Sequence, residues 1–331
     1  MTVLTQVAPG VRRVEIPLPI PALKIVNAYL IEGDRGWALV DTGIHTAEAE
    51  RALDAALVDA GIDRGAIGRV FVTHLHPDHL GMAGMLERAG AEVVMHRPEA
   101  ERARETWAAD HRLVQATHEW FASHGMPAVT NDGMRDAWIA MRRHVDAVER
   151  MGEVEDGALV DLGGREMRVV WTPGHTDFHA MLVDDREGIL IAGDHVLPRI
   201  TSNVGWYSFS RDDPLGDFLG SLRAIRGLPV RRVLPAHGEP FDDLAGRVDE
   251  LLAHHEARLH AVLDALGDDE RDAYSVCRDL FPVLRSPHEE RFALAETLAH
   301  LRHLERRGGV VTIERRPVHW RRRPAALRET S

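Results

Sequence analysis

Apolar residues dominate Ile25 to Ile31 and Trp37 to Val40, and the turn Gly33-Asp34-Arg35-Gly36 between them predicts paired strands. Before them, Met1 to Pro21 shows only a short β-like alternation broken by Pro9, Pro17, Pro19 and Pro21. Thr46 to Ala60 is predicted helical, with Thr46 as cap, Glu48 in the first turn and Gly61 at the end. A buried strand at Val70 to Thr73, a short helix at Gly81 to Ala89 and a strand at Glu92 to His96 follow. From about Pro98 to Met151 the pattern turns helical and carries Trp107, Trp120, Phe121 and Trp138. It reads as a helical insertion whose rings either pack it onto the main domain or line a pocket or subunit interface. Strands return at Met167 to Trp171, Ala180 to Val183, Gly188 to Ala192 and Arg231 to Leu234. After Pro240 come three helices, Leu244 to Leu266, Ala273 to Leu280 and Glu289 to Arg307, then a hairpin of Val310 to Ile313 with Pro317 to Trp320. Three helices and a basic hairpin outline a winged-helix-like domain.

The run Thr73-His74-Leu75-His76-Pro77-Asp78-His79 directly follows the strand-like Arg69-Val70-Phe71-Val72. Imidazole nitrogens and carboxylate oxygens together suit borderline divalent metals such as zinc, iron or manganese. So dense a set is costly in a packed core unless each group finds a partner. The run therefore reads as a metal site.

The chain has 331 residues, enough for one large domain and one small one, each with its own core. At 44% hydrophobic and 28% charged it has an ordinary globular composition. No apolar run is long enough to span a bilayer and no signal core precedes Pro21, so no membrane association and a cytoplasmic location are expected. Cys277 is the single cysteine, read as a buried helix position, so no disulfide framework exists. A net charge of −12 disfavours a protein that coats nucleic acid over its whole surface, although Arg302 to Arg328 is rich in arginine.

Four further polar motifs each sit just past an apolar strand: Asp41-Thr42-Gly43, Thr172-Pro173-Gly174-His175, Gly193-Asp194-His195 and Pro235-Ala236-His237-Gly238. Loops at strand ends tend to converge on one sheet edge, and their glycines and prolines support sharp turns. Together the five motifs resemble the metallo-β-lactamase-fold hydrolase superfamily over Val3 to about Pro240. The resemblance implies an α+β fold, a four-layer αββα sandwich, as a hydrolase domain over 1–243 with the insertion at about 98–151. It assigns His74, His76 and His175 to one metal, Asp78, His79 and His237 to a second, Asp194 to a bridge, and Asp41 to orienting a ligand. Two divalent ions, zinc above manganese or iron, would then activate a bridging hydroxide. Asp78, Asp194 and Asp41 are thus the expected catalytic carboxylates, and the substrate an ester, thioester, lactone or phosphodiester. No cysteine lies near the motifs, which excludes the antibiotic-hydrolysing branch with a cysteine ligand. The short stretch from Asp194 to His237 leaves no room for the large inserted domain of the RNA-processing and DNA-repair nucleases. A mononuclear iron dioxygenase branch shares much of the motif set and stays open.

The region 244–331 resembles the winged-helix-like domain found in mitochondrial-type endoribonucleases and many bacterial hydrolases. Arg315, Arg316, Arg321, Arg322 and Arg323 either grip RNA phosphates, making a single-strand endoribonuclease, or form a solvated wing on a domain that covers the site or a homodimer contact. The acidic total charge and the absence of spaced aromatic residues favour the second. A nucleic-acid-binding regulator is the reading from another class, disfavoured by the intact ligand set. Tyr207, beside Trp206, is a candidate pocket residue and hydrogen-bond donor to a developing oxyanion. His195 is expected to face substrate or support a ligand, and His179 to brace the Gly174-His175 loop. His254, His255, His260, His288, His300 and His303 read as ordinary helix positions.

Overall fold

The computed structural model describes residues 4–19 and 23–323. Pro21, the outer ends of the two expected domains, and Arg328 at the end of the basic tail lie outside the described residues. The first sheet has seven strands in chain order: β1 Leu4–Ala8, β2 Val11–Pro17, β3 Ile25–Gly33, β4 Gly36–Val40, β5 Ile67–Val72, β6 Glu92–His96 and β7 Gly152–Val154. The expected hairpin pairs in register, Gly33 opposite Gly36, and β4, β5 and β6 then run parallel. The second sheet comprises β8 Leu159–Leu162, β9 Arg165–Trp171, β10 Ala180–Asp184, β11 Ile189–Gly193 and β12 Arg232–Pro235, in the order β12-β11-β10-β9-β8. Its β9, β11 and β12 share one direction, because β10 is antiparallel to both neighbours and β12 is parallel to β11.

The two sheets face each other through Tyr29, Val40, Phe71, Val169, Leu182, Ile191 and Leu234, all buried. Helices cover both outer faces. On the first lie α1 Ala47–Asp59, the one-turn α2 Pro77–Leu80, α3 Ala83–Arg88 and α4 Arg97–Thr106, with Leu53, Leu57 and Leu86 against Val70 and Val93 in one apolar cluster. Thr46 caps α1 through its hydroxyl, as the sequence predicts. The layers are therefore α, β, β, α. The insertion begins with α4 and continues as α5 Arg112–Ser123 and α6 Ala128–Met141 before β7 resumes the sheet.

The second outer face is covered by α7 Pro214–Ile225, and the C-terminal region adds α8 Leu244–Leu266, α9 Ala273–Leu280 and α10 Pro287–Arg306. A three-stranded sheet completes it: β13 Arg271–Asp272, β14 Val310–Ile313 and β15 His319–Arg322, with β15 central. The small domain lacks the separate core expected from chain length. Met181, Val183 and Val233 of the second sheet, Phe218 of α7, Leu259 of α8, Leu298 of α10 and Trp320 belong to one buried cluster. The cause is α10, which packs against α6, α7, α8, α9 and β14 together. Cys277 is buried in α9, as expected, and burial pushes its thiol up to about 12. Among the described residues no helix is long and apolar enough to cross a membrane.

Candidate metal centre

Parallel β4 and β5 in one sheet and β9, β11 and β12 in the other deliver all five polar loops to a single edge, as their strand-end positions predict. Two glycines make the close approach feasible. Gly193 has φ +50°, and a Cβ there would stand 2.5 Å from Nε2 of His179. Gly174 has φ +135°, and its Cβ would stand 2.6 Å from the Phe218 backbone. The His237 loop is tied to β3, where the Tyr29 hydroxyl and the Asn27 amide both donate to the Pro235 carbonyl.

Four of the five imidazoles, His74, His79, His175 and His237, spend Nδ1 on a fixed partner and turn Nε2 inward, and His76 turns Nδ1 inward. Asp41, left-handed at φ +59°, accepts from the Thr73 amide (2.8 Å), the Thr73 hydroxyl (2.9 Å) and Nδ1 of His79 (2.8 Å). With its proton on Asp41, the Thr73 hydroxyl oxygen accepts from Nδ1 of His74 at 3.0 Å. His175 donates from Nδ1 to the Asn203 carbonyl and His237 from Nδ1 to the Ile25 carbonyl, both at 2.9 Å. The inward atoms form two groups. His74 Nε2, His76 Nδ1 and His175 Nε2 lie 3.0–3.2 Å apart. Asp78 Oδ2 is 3.8 Å from His79 Nε2 and 3.4 Å from His237 Nε2. Asp194 stands between, with Oδ2 at 3.5 Å from His175 and Oδ1 at 3.6 and 3.5 Å from His79 and His237.

This donor set fits cations. With Nδ1 protonated on His74 and His175, their Nε2 lone pairs face each other at 3.2 Å, a repulsive contact that a shared positive ion reverses. Burial, then the neighbouring imidazoles, hold the His74 pKa well below the ordinary range, so no proton on Nε2 relieves the contact. In the other half, His79 Nε2, His237 Nε2 and Asp194 Oδ1 are buried with no hydrogen-bond partner among the described residues. Burial opposes charge on His237, yet Asp194 and Asp78 outweigh it and raise its pKa to about 10. Among the described residues, the groups able to hold an ion are His74-His76-His175, His74-His79-Asp194 and Asp78-His79-His237.

The insertion contributes what sequence reading missed. Glu99 of α4 accepts the Leu75 amide at 2.9 Å, and the Trp107 indole donates to the Leu75 carbonyl at 2.9 Å. The peptide between His74 and His76 is thus held from both sides. Glu99 is fully buried, its second oxygen has no hydrogen-bond partner among the described residues, and burial raises its pKa to about 7 from an ordinary 4.5. Stability is therefore highest with Glu99 protonated and falls by about 3 kcal/mol as pH rises from about 4.5 through 7. Glu99→Gln should remove this loss, so the wild-type-minus-variant difference in unfolding free energy becomes more negative between pH 5 and pH 8. A constant difference would refute the assignment.

Other expectations resolve as follows. His179 braces the site, donating from Nδ1 to the Thr172 hydroxyl while Nε2 accepts the Asp194 amide. His195 does not face a substrate. Its side chain is buried against Phe218 with Nε2 at 2.9 Å from the Ser221 hydroxyl, because the β11 turn sends it into the helical layer. Tyr207 stacks on Phe209 at 5.5 Å, and its hydroxyl makes no hydrogen bond among the described residues. Arg315 and Arg321 share Glu270, so two of the five wing arginines have a counter-charge in the fold. His288, half-buried near the start of α10, meets the Phe292 ring at 4.5 Å.

Residues 22–237 match the Metallo-beta-lactamase superfamily, and residues 259–323 match the Metallo-beta-lactamase-like C-terminal domain. The chain is 26% identical to the probable metallo-hydrolase YqjP of Bacillus subtilis (strain 168), over 88% of this chain and 91% of that protein. It is 28% identical to the acyl-coenzyme A thioesterase MBLAC2 of Bos taurus, over 65% of this chain and 74% of that protein. Among solved structures, a metallo-beta-lactamase family protein from Thermus thermophilus superposes with a TM-score of 0.87 at 36% identity, covering 96% of this chain and 100% of that one.

Proposed function

The chain belongs to the metallo-β-lactamase superfamily, and on that premise we propose a two-metal hydrolase of ester-type bonds, thioesters foremost. It is a metallo-hydrolase with a histidine and aspartate cluster able to hold metal ions. The observation that carries the two-metal reading is the position of Asp194, one oxygen turned to each half of the cluster. The thioesterase relative supports the substrate class. We read 1–243 as the hydrolase domain, with the insertion at about 98–151, and 244–331 as a winged-helix-like domain that walls the site.

His74, His76 and His175 would hold one ion, Asp78, His79 and His237 the other, with Asp194 between them; zinc suits this nitrogen-rich set. Bound ions supply Lewis acidity toward the substrate carbonyl and make water nucleophilic near neutral pH. Asp41 and the Asn203 and Ile25 carbonyls fix which nitrogen His79, His175 and His237 turn inward. Asp78 is the most open carboxylate of the cluster, its side chain 14% exposed, and we assign it the proton released as water attacks. Tyr207 is assigned to the pocket wall.

Elemental analysis of the purified protein is expected to give two divalent ions per chain. Turnover is expected on a thioester or lactone in a panel that includes phosphodiesters and single-stranded RNA. A single iron per chain would sink the two-metal reading. Metal-dependent RNA cleavage without ester turnover would replace the substrate class.

A further inference from the structure

Arg291 of α10 is the half-buried arginine that, among the described residues, makes neither a hydrogen bond nor an ion pair. Aromatic rings surround its guanidinium: Phe292 at 4.4 Å, Trp138 at 4.8 Å and Tyr207 at 6.0 Å to the ring centres. The three rings come from α10, from the insertion helix α6 and from the loop after β11. The nearby acids are engaged elsewhere. Glu289 accepts from the Arg285 amide, Glu290 from the Tyr274 hydroxyl, and Asp132 and Asp136 pair with Arg135. A guanidinium resting on ring faces keeps its in-plane N–H edge for a planar anion, and a half-buried cation without a counter-charge is costly.

The helix that carries this cation is tied to the metal centre through Asn203. His288 lies three residues before Arg291 and so shares its face of α10. Its ring meets Phe292 at 4.5 Å. The loop carrying Tyr207 makes this connection. The Asn203 carbonyl holds His175, the Asn203 amide donates to the Phe292 carbonyl and to Glu296, and the Trp206 amide donates to the Ala295 carbonyl.

We propose that Arg291 is a specificity-determining residue that anchors a carboxylate or phosphate group on the part of the substrate remote from the scissile bond, with Trp138 and Tyr207 flanking it. The proposal rests on the hydrolase reading for what happens to the bound molecule, and on Arg291 alone for the preference for an anion. Its test measures binding without turnover, on full-length metal-loaded protein, by titration calorimetry. The probes are non-hydrolysable ethers: naphthyloxybutanoate, its neutral carboxamide, and naphthyloxyethyl phosphate. Wild type is expected to bind one or both anionic ethers at least about tenfold more tightly than the carboxamide. The carboxylate and phosphate arms tell which anion fits. Arg291→Met keeps an apolar chain among the rings and should bring the preference within about twofold, and Arg291→Lys should restore part of it. Both variants are checked for unchanged metal content and unfolding midpoint. No anion preference in wild type overturns the proposal. So does a preference that survives in Arg291→Met, which places the anion on the metals. Absence of ester turnover by wild type removes the hydrolase reading and leaves this measurement decisive.

Discussion

Asp194→Ala is expected to lower ester turnover by on the order of a thousandfold or more, and to reduce bound metal from two ions per chain to one or fewer. The size follows from position. Asp194 is the group whose two oxygens face both halves, and it brings a negative charge to an assembly otherwise held by five neutral rings and Asp78. Removing it leaves the Nε2 lone pairs of His175, His79 and His237 around a void, where the cations they would share repel each other without a counter-charge. Elemental analysis and kcat on the same preparation check this. A variant that keeps two ions and loses less than about tenfold in kcat would refute the bridging role.

Asp41→Asn is the second large effect, and it acts without touching a substrate. Asparagine tolerates the left-handed backbone at φ +59°, so the fold should survive. The change exchanges an all-acceptor group for one that must also donate. Asp41 serves three donors, the Thr73 amide, the Thr73 hydroxyl and Nδ1 of His79. An amide facing His79 drives the imidazole proton from Nδ1 to Nε2, the atom turned toward Asp78 and Asp194. Metal affinity of that half should fall roughly 10- to 100-fold. The His74 half, reached only through the Thr73 hydroxyl, should lose less. Competition titration with a chelator dye should show two unequal dissociation constants where wild type shows two similar ones, and an equal loss at both would refute the tautomer argument.

The parts of this protein that were legible in its sequence are those written in consecutive residues. A short apolar run ending in a histidine, an aspartate or a glycine places a side chain at a strand end, and shared strand direction then brings five such ends together. Short strands escaped this reading. In β7 and β8, three and four residues long, the pattern is too brief for a period of two to emerge. The clamp on Leu75 by Glu99 and Trp107 also escaped it, because Glu99 lies inside α4 and Trp107 just past its end, and a helical pattern predicts only packing. His288 and Arg291 were equally silent. Arg291 gains its significance from contact with Trp138 and Tyr207, far away in the chain, and helical periodicity carries no trace of such pairings. The separate core expected for the C-terminal region failed for a related reason, since amphipathic spacing shows that a helix buries one face but not which neighbour covers it.

That merged core constrains how chains of this architecture can diversify. A region that folded by itself could be exchanged as a cassette between relatives, carrying its preferences along. Here the helix bearing Arg291 also supplies Leu298 to the cluster that holds Met181 and Val183, and its backbone anchors the loop that orients His175. A transplanted C-terminal half would have to match a foreign sheet surface side chain by side chain, or the graft would disturb the histidine itself. If Arg291 anchors substrate as proposed, new selectivity is reached by point changes at Trp138, Tyr207 and Arg291, with the framework beneath them inherited whole.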